Sequence, residues 1–291
     1  MTEAEWGTKQ WQEDHFPKGQ LDSDGDTWGM RWHGLDKLRH HSYLKLIGPD
    51  LREAQSLKVL DIGCALCDFT KKAWNLDTEN QFWCMDISEN AIAWDKANFP
   101  EFTFKSGAIP DIPFDVKFDV IFCLEVLAYL KPQDREKTVE NIQLKLAPSG
   151  KLVFAGVLHH QHHSETEVTD LIGKYLEVRE LSLNHWTMYR KLIEGPLEKV
   201  LSIVGVLLRV LEMPDNEYQE WISGGNDGPK IRVANFLRLT KPVSIWVLRG
   251  ISSLSKSIIG SRYLALTCHW LSKRLLSAGN ADEIVIVAAK K

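Results

Sequence analysis

The 291-residue sequence lacks long apolar segments, which excludes a membrane-spanning protein of the ordinary helical kind. No apolar run reaches the ~18 residues that a transmembrane helix needs. The first residues, MTEAEWGTKQWQEDH, contain no apolar core of the kind that a secretory signal requires. The five cysteines are odd in number and scattered, which is typical of a reducing compartment. These absences together predict a cytoplasmic protein.

Acidic residues are missing from one stretch of the chain, residues 228–281. This stretch contains nine Lys and Arg residues, so the formal net charge of −4 leaves −13 on the rest of the chain. Apolar residues, including Trp246 and Trp270, are interspersed with the cations, as in helices that lie on anionic membranes. Three interpretations stay open: a helical lid against the acidic body, a peripheral docking element on the inner face of a membrane, and an RNA-binding surface. The negative overall charge argues against nucleic acid as a partner.

A complete GxGxxG signature is also missing, but a related glycine turn occurs in Lys58–Thr70, KVLDIGCALCDFT. An apolar run leads into Asp61 and Gly63, and a loop of small residues precedes a segment that can form a helix. A strand, a small-residue turn and a helix N-terminus let a ligand approach bare backbone. Because Ala65 and Cys67 replace two of the usual glycines, the loop fits a ligand without phosphates better than a dinucleotide.

An acidic residue follows the glycine turn at a distance typical of nucleotide-binding folds. The apolar run Phe82–Met85 ends in Asp86, 23 residues after Gly63. A carboxylate at the tip of a second strand can accept two hydrogen bonds from a ribose diol. We therefore expect Asp86, with its neighbour Ile87, to bind an adenosine-like ligand.

Three patterns suggest metals, and none has the full signature. Cys64 and Cys67 form a CxxC pair without a second pair or a thioredoxin-like context, so packing in the turn is the preferred interpretation. The segment DSDGD at residues 22–26 lacks the glutamate that closes an EF-hand. The four histidines of residues 159–163 lack the spacing of a zinc site. No metal site is predicted.

The order of these segments resembles the motifs of class I S-adenosylmethionine-dependent methyltransferases. The apolar run Lys117–Leu124 continues into Glu125–Leu130, EVLAYL, which is similar to the EVLxYL form of NodS-like enzymes, and a turn at Pro148–Gly150 follows. The resemblance extends over about residues 26–185 and the last ten residues. It implies an α/β fold, a doubly wound, Rossmann-like sheet of seven mostly parallel strands whose last strand is antiparallel.

The resemblance also implies S-adenosylmethionine as the cofactor and a set of residues that bind it. In this family the turn after the third strand receives the adenine, although the carboxylate often found there is replaced by Gly107. An entrance helix that begins near residue 35 would cover the methionine end of the cofactor. The predicted cofactor-binding residues are Trp28, Arg39, Asp61, Gly63, Ala65, Asp86, Ile87, Ala108, Ile109 and Leu124.

Two residues are candidates for catalysis. In the family the end of the fourth strand lies beside the transferred methyl group, so Glu125 is predicted to bind the acceptor or to act as a general base. The alternative is a purely structural role for Glu125, in which its carboxylate is favoured by the dipole at the start of a helix. His159 follows the fifth strand and is the second candidate base.

The seventh strand is predicted only at Asp282–Ala288, far from the sixth. The chain is therefore divided into a lid at residues 1–34, a methyltransferase core at 35–188 and 282–291, and a helical, basic and apolar insertion at 189–281. Leu197–Leu211 within this insertion is apolar on nearly all faces, which predicts a buried helix.

The predicted function is in-line transfer of a methyl group to the hydroxyl or amine of a small molecule. NodS-like enzymes modify amino sugars, and the basic insertion adds a lipid-linked sugar to the candidates. A catalytically inactive methyltransferase-like binding module and an RNA methyltransferase are the alternatives. The substitutions at Ala65, Cys67 and Gly107 favour the inactive module, while Asp61, Gly63 and Asp86 argue against it.

Overall fold

A computed structural model describes residues 8–16, 33–53, 56–158, 164–223, 229–275 and 281–291 of the chain. Apolar runs form seven strands: β1 (Lys58–Ile62), β2 (Gln81–Asp86), β3 (Thr103–Ser106), β4 (Phe118–Leu124), β5 (Leu146–Val157), β6 (Leu176–Asn184) and β7 (Glu283–Lys290). The helices before β6 are α1 (Lys9–His15), α2 (Gly34–Glu53), α3 (Asp68–Trp74), α4 (Glu89–Asn98), α5 (Pro132–Lys145) and α6 (Glu165–Tyr175). The helices after β6 are α7 (Thr187–Tyr189), α8 (Gly195–Glu212), α9 (Asp215–Ser223), α10 (Pro229–Leu239), α11 (Lys241–Ile259) and α12 (Arg262–Leu275).

The strands form one sheet in the order β3-β2-β1-β4-β5-β7-β6. Neighbours from β3 to β5 are parallel, and β7 is antiparallel to both β5 and β6. This topology confirms the predicted fold class. Ile62 is in register with Met85 of β2 and Cys123 of β4, so the carboxyl ends of three parallel strands meet at one edge of the sheet.

Helices cover both faces of the sheet, which is why the central strands are continuously apolar. On one face α2, α3 and α4 pack against the strands through Ile47, Phe69 and Ile92. On the other face α5 and α6 pack through Ile142 and Ile172. The core therefore fixes the sheet edge where the strand ends meet.

Helices α8–α12 make up most of the insertion. After α12 the chain comes back to the end of β6, from which it left the sheet. Its α12 packs on α2, where Ala265 and Cys268 join Leu35 and Leu38 in one buried cluster. The backbone N–H of Asp282 then donates a hydrogen bond to the carbonyl of Asn184, 2.9 Å away, where β6 ends. Within the described ranges, no helix combines the length and apolar character needed to cross a membrane.

The predicted burial of Leu197–Leu211 is correct for one face only. Val204 and Leu211 of α8 pack against Leu248 of α11. On the other side of α8, Ile203 is 60% and Val206 50% exposed. This helix packs against its neighbour on one side and presents apolar side chains to solvent on the other.

Candidate active site

The turn after β1 has the backbone shape that the small residues predict. Gly63 has φ +73°, and a Cβ at this position would lie 2.5 Å from Cγ2 of Val126. Ala65 and Cys67 have φ values of 48° and 55°, a region that disfavours L-residues by roughly 1–2 kcal/mol each. The turn therefore adopts the left-handed conformation typical of glycine even where glycine is absent.

Asp86 at the end of β2 is held by the same turn. One carboxylate oxygen accepts a hydrogen bond from the backbone N–H of Ala65 at 3.0 Å, and the other accepts from Ser88 at 2.9 Å. Burial raises the pKa of Asp86, and these two backbone donors oppose the rise. Each carboxylate oxygen has a second lone pair, so a fixed acceptor pair remains for a vicinal diol.

Asp61 lies beneath the turn. It is 4% exposed and accepts a hydrogen bond from the hydroxyl of Thr70 on α3. Burial raises the pKa of Asp61 to about 8. Asp61 is not among the residues that line the cavity described next, and its hydrogen bond with Thr70 joins β1 to α3.

A cavity of about 260 Å³ opens where the carboxyl ends of the strands meet. Its lining unites residues from five separate parts of the sequence. The predicted residues in the lining are Gly63, Ala65, Asp86, Ile87, Ala108, Ile109, Leu124 and Glu125. The residues that sequence reasoning missed are Gln12, Ile62, Val126, Tyr129 and Leu130.

Helix α1 covers part of this cavity. The Glu13 carboxylate accepts hydrogen bonds from the hydroxyl of Ser88 at 2.9 Å and from the backbone N–H of Glu89 at 2.7 Å. This contact anchors α1 to the N-terminus of α4, where a carboxylate is favoured by the helix dipole. Gln12 lines the cavity, and the Trp11 ring lies 5.9 Å from that of Tyr129. The predicted Trp28 lies outside the described residues.

Glu125 occupies a strained position at the end of β4. Its φ is 63°, and its backbone N–H donates to the carbonyl of Ala155 at 2.8 Å. A left-handed conformation in a residue other than glycine is costly and concentrates at functional sites. Tyr129, four residues later, lines the same cavity, and burial raises its pKa. The spacing of EVLAYL could have identified this tyrosine.

Arg39 contacts Glu125 and does not itself line the cavity. Its guanidinium lies 2.9 Å from a Glu125 oxygen and 3.1 Å from an oxygen of the fully buried Glu283. Glu283 also accepts hydrogen bonds from Tyr43 and Asn184. Burial raises the pKa of Glu283 to about 8, and the charge of Arg39 opposes this rise. Arg39 thus joins the entrance helix to the end of β4, and its contact with the cofactor carboxylate stays a prediction.

The strain at Glu125 gives a testable prediction. We expect Glu125→Gly to be more stable than Glu125→Ala by roughly 1–2 kcal/mol, because only glycine relieves the left-handed backbone. Urea denaturation measures this difference. At Glu177, in the exposed part of β6, the same pair of substitutions has the opposite order, because glycine in a strand costs about 0.5–1 kcal/mol relative to alanine. If the glycine variant were the more stable of the two at both positions, or the alanine variant at both, the proposed strain at Glu125 would be contradicted.

His159, the second candidate base, lies in the undescribed segment 159–163. Its role stays a prediction. Glu125 is thus the predicted catalytic side chain that the structure places at the cavity.

The sheet order with its antiparallel β7, and the glycine turn held against Asp86 at the edge of the cavity, are the arrangement of the class I methyltransferase fold. Residues 59–150 match a protein-family profile described as "Methyltransferase domain".

Two solved structures show the same fold. The N-methyltransferase NodS from Bradyrhizobium japonicum WM9, in complex with S-adenosyl-L-homocysteine, is 23% identical with a TM-score of 0.51, over 61% of this chain and 90% of NodS. The [4+2]-cyclase SpnF is 11% identical with a TM-score of 0.50, over 86% of this chain and 80% of SpnF. Among curated proteins, no sequence matches this chain significantly. Since one of these structures is a cyclase, the fold alone does not determine the reaction.

Proposed function

We propose that this protein transfers a methyl group from S-adenosylmethionine to an amine or hydroxyl of a small molecule bound beside Glu125. One observation carries the proposal: a single cavity is lined by the Gly63–Asp86 pair, which suits a nucleoside, and by two polar side chains, Glu125 and Tyr129. Its volume of about 260 Å³ lies just below the usual range for small-molecule sites, about 300–1,000 Å³.

Each residue of the cavity has a definite part in this proposal. The turn at Gly63 and Ala65 exposes backbone to the cofactor, and the Asp86 carboxylate accepts hydrogen bonds from its ribose hydroxyls. The cofactor, when bound, supplies the electrophilic methyl group. The Glu125 carboxylate accepts a hydrogen bond from the acceptor and takes the proton if the acceptor is a hydroxyl. Arg39 positions this carboxylate through their ion pair.

An amino sugar, free or lipid-linked, is the acceptor that we favour. NodS, which has the same fold, is an N-methyltransferase. An amine needs only to arrive neutral and aligned, since proximity and orientation provide most of the acceleration. The basic and apolar insertion would suit an acceptor that carries a lipid.

Two measurements test the proposal. S-Adenosylhomocysteine at 100 times its Kd is expected to stabilise the protein by about 2.7 kcal/mol in a thermal melt. Methyl-labelled S-adenosylmethionine is then incubated with glucosamine or with N-acetylglucosamine, whose amine is blocked. We expect labelled product from glucosamine and its loss in Glu125→Gln. Stabilisation without labelled product from either sugar would favour the inactive binding module, and no stabilisation at saturation would contradict the proposed cofactor site.

We also propose that the insertion docks on an anionic membrane surface. One face of α11 packs on α8 through Leu248, while Val243, Trp246 and Leu254 lie on the opposite face. Their exposed fractions are 64%, 77% and 64%. At the end of α10, Leu239 is 85% exposed and extends this apolar strip.

The charge around the strip supports an anionic partner. Arg249 and Lys256 are exposed on α11, and no acidic residue occurs between residues 228 and 281. Arg249 also contacts Glu212 of α8, at 2.9 Å, in an exposed ion pair. Exposed pairs of this kind contribute little, whereas each cation near an anionic bilayer contributes about 1 kcal/mol.

Vesicle sedimentation tests this docking. We expect the protein to sediment with vesicles that contain phosphatidylserine and to stay in the supernatant with pure phosphatidylcholine. Trp246→Glu combined with Leu254→Glu should weaken the binding at least about tenfold, because two apolar side chains lose their burial in the interface. Leu144→Glu on α5, where the leucine is 56% exposed, is the matched control. Equal recovery with both vesicles, or displacement by RNA, would contradict membrane docking.

A further inference from the structure

Three cysteine side chains meet beneath the glycine turn. Cys64 and Cys67 belong to the turn, and Cys84 lies on β2 in register with Asp61 of β1. The three Sγ atoms lie within 4.8 Å of one another, and the residues are 6%, 0% and 0% exposed. The CxxC pair alone predicts packing, but the third thiol, 17 residues after Cys67, gives the cluster the composition of a metal site.

A buried carboxyl group lies beside the cluster. Asp95 on α4 is fully buried, and its Oδ2 lies 3.8 Å from the Sγ of Cys64. Its Oδ1 is buried without a hydrogen-bond partner among the described residues. A buried polar group without a partner costs free energy, so an oxygen in this position indicates a ligand that has not been counted.

We propose that Cys64, Cys67 and Cys84 bind a zinc ion, with Asp95 as the fourth ligand. Three thiolates and one carboxylate oxygen form a tetrahedral set of the kind that zinc accepts. With Zn–S bonds of about 2.3 Å, sulfur atoms lie about 3.8 Å apart, so the thiols need to approach by no more than about 1 Å. Binding releases the thiol protons to solvent, and the two positive charges of the ion offset half of the four negative charges of its ligands. The ion joins the turn, β2 and α4 directly behind the cavity.

Metal content and cobalt spectroscopy test the site without any acceptor. The full chain is purified under a phosphine reductant, without added metal, and its zinc is measured by mass spectrometry. We expect ~1 equivalent per chain. After exchange into Co²⁺, the protein should show thiolate-to-cobalt charge-transfer absorption. Cys84→Ser should weaken Co²⁺ binding at least about 100-fold, since even second-sphere changes cost 10–100-fold.

Two further variants keep the test decisive. Cys123→Ser alters a buried cysteine of β4 outside the cluster and should retain the metal. Asp95→Asn removes only the fourth ligand and should lower the affinity while preserving thiolate absorption. A protein that retains no zinc and gives no thiolate–cobalt band under reducing conditions would overturn the proposal. So would wild-type affinity in a folded Cys84→Ser variant, or a disulfide among these cysteines in the reduced preparation.

Discussion

Replacing Arg39 with methionine is expected to lower the free energy of unfolding by about 3–5 kcal/mol, the usual cost of breaking a buried ion pair. Arg39 is the cation beside the fully buried Glu283, and methionine keeps the length of the side chain while removing the charge. The carboxyl group of Glu283 would then have only Tyr43 and Asn184 as partners. Urea denaturation at about pH 9, above the pKa of Glu283 and followed by tryptophan fluorescence, measures the loss.

A second substitution separates the lost charge from lost packing. Adding Glu283→Gln to Arg39→Met removes the unpaired carboxylate, so the double variant should be more stable than the single one. Arg179→Met breaks an exposed pair with Glu177 on β6, where 57% and 50% of the side chains are accessible. This control should cost no more than about 1 kcal/mol. If Arg39→Met also lowered the free energy of unfolding by no more than about 1 kcal/mol, the buried pair would not be a stabilising element.

Changing Asp86 to asparagine is expected to weaken the binding of S-adenosylhomocysteine by about 10–150-fold. Hydrogen bonds to a charged group contribute about 1.5–3 kcal/mol, and the amide has only one oxygen to accept from a ribose diol. The side chain keeps its size, so the turn should persist. Isothermal titration calorimetry gives the Kd directly.

A matched aspartate controls for the loss of local hydrogen bonds. Asp77 accepts from the backbone N–H of Glu79 at 3.0 Å, just as Asp86 accepts from Ser88 two residues on. Asp77 lies in the loop after α3, away from the cavity lining. Asp77→Asn should leave the Kd unchanged. An unchanged Kd in Asp86→Asn would remove this residue from the cofactor site.

The parts of the site that could be predicted from sequence are those at strand ends. Gly63, Asp86 and Glu125 each follow an apolar run, and the carboxyl ends of parallel strands meet at one edge of the sheet. Their approach in space therefore follows from the order of elements alone. The antiparallel last strand was predicted from the resemblance to class I methyltransferases, and the pairing of β7 with β5 and β6 confirms it.

The parts that could not be predicted depend on contacts between distant segments. Arg39 and Glu283 are 244 positions apart, and neither belongs to a local pattern. Glu13 reaches α4 from a segment with few apolar residues. Cys84 and Asp95 gain significance only because β2 and α4 place them beside the turn. Spacing in the sequence does not reveal such neighbours.

The hydrogen bond between Asp282 and Asn184 has a consequence for how this enzyme could diversify. About ninety residues leave and re-enter the sheet at one point, and closing so long a loop costs only about 2–3 kcal/mol more than closing a short turn. The helices beyond that point can therefore be lengthened, shortened or exchanged while β7 keeps its register and Glu283 its place. Evolution, or an engineer, could thus graft a different helical module onto an unchanged sheet.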